Sequence, residues 1–156
     1  MNNPKIVVHD AAGAFIELQD QRAANGDKVA PFRIALCLLD QGLNREAAAK
    51  YDQVLDGLTD EDPLAPVHLW AQLTEARILM ATNDHQMALE VIMGGVDSAL
   101  ASSSADVEVT VLLLSEAGRI YQTCIDTEGA APLYGVDPLS GARTMRLISC
   151  VRQVLF

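Results

Sequence analysis

The chain is poor in aromatic residues, with three phenylalanines, three tyrosines and one tryptophan among 156 residues. A core must therefore come from aliphatic side chains and alanine, which the 50% hydrophobic content supplies. Cysteine is scarcer. Cys37, Cys124 and Cys150 are far apart and odd in number, which fits free thiols in a reducing compartment and excludes a disulfide frame or a zinc-ligand set. Positive charge is also short: 11 basic against 21 acidic residues give a net charge of −10. Nucleic acid and anionic membrane surfaces need a positive face, so neither is expected as a partner. No window approaches the length of uncharged apolar sequence that a transmembrane helix requires. The start, MNNPKIVVHDAAG, lacks the basic region and long apolar core of a signal peptide. A cytoplasmic location is the expectation.

Catalytic signatures are missing too. His9, His68 and His85 are distant from one another and none begins a ligand-spaced pair. No glycine-rich phosphate loop and no G-x-S-x-G setting occurs. The acidic residues Asp52, Asp56, Asp60, Glu61 and Asp62 lack the alternating oxygens and the glycine of a calcium loop. Cys37 lies among Ile34, Leu36, Leu38 and Leu39, a setting that raises a thiol pKa and makes it inert. The chain is read as a non-enzyme, with no metal and no cofactor.

What is present is regular helix punctuation. Asp10 is a cap for a helix ending at Asn25-Gly26, and Pro31 suits the first turn of a helix stopped by Gly42. Asn44 caps a helix to about Leu58, and Asp62-Pro63 starts one to about Ala81. Asp84 caps another, its end blurred by Gly94-Gly95 or carried on to Ala101 as a bent or broken piece, and Ser102–Ser104 form a loop and cap before a helix from about Ala105 to Ile125. Residues 127–137 read as a loop and Asp137-Pro138 begins a last helix to about Val154. Val109, Leu113, Ala117, Ile120 and Cys124 step at helical spacing, whereas only Lys5–His9 looks strand-like. The expectation is an all-α chain of about seven helices.

The pattern recurs. Ala35, Leu38, Gly42, Ala47 and Tyr51, moved on by 41 positions, become Ala76, Leu79, Asn83, Ala88 and Ile92. Small stays small, and the turn residue passes from glycine to asparagine, the next most tolerant of positive φ. A second step of 41 meets Ala117 and Ile120, then fails at Cys124, where the helix is expected to continue. The facing alanines let antiparallel helices approach, and Tyr51 or Ile92 fills the space between hairpins.

These residues resemble the tetratricopeptide repeat, whose roles Ala35, Gly42, Ala47, Tyr51 and Pro63 match in the first copy. Ala76, Ala88, Ile92 and Gly95 match them less well in the second. The period of 41 departs from the family's 34, so lengthened helices are implied. The resemblance implies a single domain of antiparallel hairpins stacked as a short α-solenoid. Its parts are an N-terminal helix (1–28) and hairpins at 29–62, 63–104 and 105–156. It further implies a concave face lined by the first helix of each hairpin. Val29, Phe32, Leu36, Leu39 and Asp40 map there, followed by Trp70, Leu73, Arg77 and Met80, then Val111, Leu114, Tyr121 and Gln122. An apolar groove of that kind suits a peptide or helix of another protein, with Arg77 meeting a carboxylate. The competing reading makes the same residues core, covered by the terminal helices.

The chain is thus similar in size, charge and architecture to the tetratricopeptide-type chaperones of bacterial secretion systems, and a chaperone or adaptor role is expected. Two further readings stand beside it. One is an acidic, immunity-type inhibitor occluding a basic partner. The other is a homodimer through the last helix. Residues 138–156 carry Arg143, Arg146 and Arg152 with no acid, whereas all 21 acids precede them, so this tail is expected to seek an acidic surface.

Overall fold

A computed structural model describes residues 4–59, 61–62, 65–102 and 106–128, with side-chain surroundings for those between 11 and 127. Its elements are α1 (Pro4–Ala24), α2 (Ala30–Asp40), α3 (Asn44–Asp56), α4 (Val67–Ala81), α5 (His85–Ala101) and α6 (Val107–Glu128). The protein is all-α, and no strand occurs among the described residues. Lys5–His9, strand-like in isolation, belongs to α1, which passes straight through Asp10. A short β-branched run has no strand to pair with, so it joins the helix that follows. The expected helix at 138–154, with its arginines and Cys150, lies outside the described residues.

The chain divides at the acidic link into two compact units, Met1–Asp60 and Glu61–Phe156. In the first, α2 packs on both α1 and α3. The α1–α2 turn closes through Asp27 N–H to the Arg22 carbonyl at 2.9 Å, with Gly26 at φ 96°. Asp27 then starts α2, its Oδ1 accepting from Val29 N–H at 3.0 Å and Ala30 N–H at 3.3 Å. Across α2 and α3, Ala35 and Ala47 are fully buried and the Phe32 and Tyr51 rings lie 6.3 Å apart.

In the second unit, α5 packs on α4 and α6, and α4 also packs on α6. α4 begins at Val67 behind Pro66, not at Pro63. Asp62 closes a separate turn instead, its carbonyl accepting from Ala65 N–H at 2.9 Å. α6 is started by Asp106, whose Oδ1 accepts from Glu108 N–H at 3.0 Å, and not by the preceding serines. Of the two expectations at Gly94-Gly95, the continuation holds: α5 runs on to Ala101 as one unbroken helix. Gly95 is needed there for close packing. A Cβ on it would lie 3.1 Å from Leu113 Cδ2 on α6 and 3.4 Å from Gln72 Cβ on α4.

The turns of the two hairpins agree bond for bond at the 41-residue offset. Gly42 has φ 76° and Asn83 has φ 62°. Leu43 N–H reaches the Leu38 carbonyl at 2.9 Å, and Asp84 N–H reaches Leu79 at 2.9 Å. Gly42 N–H bonds Leu39 at 3.0 Å, and Asn83 N–H bonds Met80 at 3.1 Å. The next residue is the cap of the second helix in both cases, Leu43 and Asp84. Asn44, the expected cap, is therefore the first helical residue of α3. Asp84 is the better cap, because its carboxylate accepts from Met87 N–H at 3.4 Å. Left-handed backbone at these positions makes substitution asymmetric: Gly42→Ala should cost about 1 kcal/mol, whereas Asn83→Gly should be neutral or slightly stabilising. Urea midpoints of the two variants check this.

Candidate functional site

The register of the second unit follows from one crossing and one contact. Gly95 touches Gln72 on α4 and Leu113 on α6, residues 41 positions apart in the sequence. At the far end, Cys124 Sγ lies 3.8 Å from the carbonyl oxygen of His85, the first residue of α5. The C-terminal end of α6 therefore sits beside the α4–α5 turn, at the same end as the last turn of α4. Cys124 is buried and helical, so α6 continues as helix at the position 41 residues beyond Asn83.

This places the candidate residues in two groups. Trp70, Leu73 and Leu114 are buried. Arg77 and Met80 on α4, and Tyr121 and Gln122 on α6, are only partly buried and gather towards the α4–α5 turn. Gln122 is oriented by its Nε2, which donates to Asp126 Oδ1 at 2.8 Å. On the same helix the partly screened Glu116 accepts from Arg119 at 3.5 Å. In the first unit Val29 and Leu39 are half-buried, Asp40 is exposed, and Phe32 and Leu36 are buried. Phe32 packs its ring near Tyr51 of α3, so it faces the partner helix of its own hairpin instead of an open groove. Leu36 and Leu39, one and two turns on, share that side of α2.

The candidate positions Val111, Leu114 and Tyr121 lie on a longer apolar line of α6, whose other members the sequence reading did not place on that face. Val107, Val111, Leu114, Gly118, Tyr121 and Ile125 recur at alternating spacings of four and three, the signature of a helix-pairing seam. It lies beside the core line of Val109, Leu113, Ala117, Ile120 and Cys124, which is fully buried. The seam is most open at its start, where Val107 is 76% exposed. A heptad count over 107–125 reveals it.

Burial, reinforced by the Asp40 carboxylate, pushes the Cys37 thiol above its ordinary pKa, so little of it is thiolate at neutral pH. His68 is held by its ring, whose Nε2 lies 3.0 Å from the Asp62 carbonyl oxygen. Among the described residues, no three His, Cys, Asp or Glu side chains gather in a metal-holding group. No described helix is long and apolar enough to cross a membrane. In comparisons with protein-family models, curated proteins and solved structures, none matches the chain.

Proposed function

We propose that the chain is a non-catalytic helical-repeat protein that binds an apolar peptide or helix of another protein, in the manner of tetratricopeptide-type chaperones and adaptors. The carrying observation is the partly exposed set Arg77, Met80, Tyr121 and Gln122 at one end of α4 and α6. It combines a flexible thioether, an amphipathic ring, a cation and an amide, the mixture that repacks around an apolar segment and orients its polar ends. The agreement of the Gly42 and Asn83 turns supports the repeat architecture behind it. Relative to the first expectation, the contact surface narrows. Trp70, Leu73 and Phe32 support the helices, and the contacts fall to the half-exposed residues.

The test is a bait experiment in the native cell with the full chain. Met80→Glu combined with Tyr121→Glu should keep its far-UV circular dichroism and lose partner affinity by about thirtyfold or more, the scale of a hot spot. Retention of an unchanged partner by that variant would overturn the assignment of the site. The acidic balance of −10 favours one other reading, an inhibitor that covers a basic protein. There, neutralising Asp60, Glu61 and Asp62 should weaken binding while the Met80/Tyr121 variant should not.

A further inference from the structure

α1 docks with the poorer of two neighbouring lines. Along its described part, the least exposed positions are Ala12, Ile16, Gln19 and Ala23, a helical stripe. α1 packs on α2, and within this stripe Gln19 is the deepest residue, 2% exposed. Its Oε1 is buried with no hydrogen-bond partner among the described residues. One residue back around the helix, about 100° away, runs a second line of Ala11, Phe15, Leu18 and Arg22. Phe15 is 38% and Leu18 45% exposed. The helix thus leaves Phe15 and Leu18 partly in water and buries a carboxamide whose acceptor is unmet.

Both choices weaken docking. A buried acceptor without a donor retains its full desolvation penalty, and exposed phenylalanine and leucine forgo burial that the same helix could have made. The Asn25-Gly26 turn joins α1 to α2 through a left-handed glycine at φ 96°. Its closing bonds run from Asp27 and Gly26 back to the last turn of α1 and not onto the side of α2. We infer that α1 is a releasable strap on α2, that Gln19 sets its latch weak, and that α1 opens as one unit while α2 and α3 stay closed. This inference stands apart from the proposed partner site, which lies on α4 and α6.

Native-state hydrogen exchange of the full chain, read by mass spectrometry, tests it. Amides of the described part of α1 should exchange at least tenfold faster than those of α2. Gln19→Met, nearly equal in shape and lacking the unmet acceptor, should slow α1 exchange by about tenfold and leave α2 and α3 unchanged. Gln19→Glu should accelerate α1 by a similar factor, again confined to that helix. Phe15→Ser should leave α1 exchange within a factor of two of the unsubstituted chain, because its ring does not hold the docked setting. Equal protection of α1 and α2, or Gln19 effects spread evenly over all three helices, would show an integral helix and overturn the inference. A tenfold acceleration by Phe15→Ser would overturn it as well.

Discussion

Replacing Trp70 by alanine is expected to remove about 3–5 kcal/mol of stability, a large share of what a domain of this size possesses. The reason is burial. Trp70 is 2% exposed and is the largest of the fully buried side chains. It sits on α4, a helix whose buried residues Val67, Leu69, Ala71, Leu73, Thr74 and Ala76 lie around most of its circumference. α4 packs on both α5 and α6, so the volume left by the buried indole is not refilled by a small rotation of one neighbour. Thr74 beside it is already satisfied, its Oγ1 donating to the Trp70 carbonyl at 2.8 Å, and has no spare group to turn into the space. Read as a groove residue, Trp70 would give a variant that folds normally and fails to bind. As a core residue it should lose helical content at markedly lower urea. Far-UV circular dichroism is the proper readout, since the substitution removes the only tryptophan.

The second large effect concerns two adjacent glycines with opposite expected signs. Gly95→Val should destabilise by about 2–3 kcal/mol, because even a Cβ there meets Leu113 Cδ2 at 3.1 Å and the added methyls must displace a fully buried leucine. Gly94→Ala should instead stabilise by about 0.5–1 kcal/mol, the ordinary gain of removing a glycine from a helix interior. Gly94 is exposed, and its Cβ would meet nothing closer than Gln72 Nε2 at 3.8 Å. Thermal midpoints of the two variants decide the matter together. A loss of stability in both, or a gain in both, would contradict the packing of α5 between α4 and α6.

These two glycines also show where sequence reasoning stops. Gly26, Gly42 and Asn83 were readable as helix stops because the requirement they meet, a positive φ after the last helical turn, is local. Gly95 meets a non-local requirement, the approach of two other helices, and nothing within its own helix distinguishes it from a stop. The same division applies at the helix starts. Asp84 was readable as a cap, whereas Pro63 and Pro66 are equivalent signals and the turn at Asp62 selects the later one. For the site, spacing identified which residues share a side of a helix but not what lies against that side. Phe32 and Met80 both fitted the expected face. One meets Tyr51 of its own hairpin and the other stays half-exposed. Gln19 carried no signal at all, since a glutamine in a helix normally faces water and only its burial makes it unusual.

The central claim is that partner binding rests on apolar contact at the end of α4 and α6 and not on the acidic charge of the chain. The most direct measurement is the affinity of the chain for its native-cell partner at low and at high salt. Contact through Met80 and Tyr121 predicts retention that barely changes across the salt series, since apolar burial is not screened. Loss of the partner as salt rises would contradict the account and assign the binding to the acidic surface.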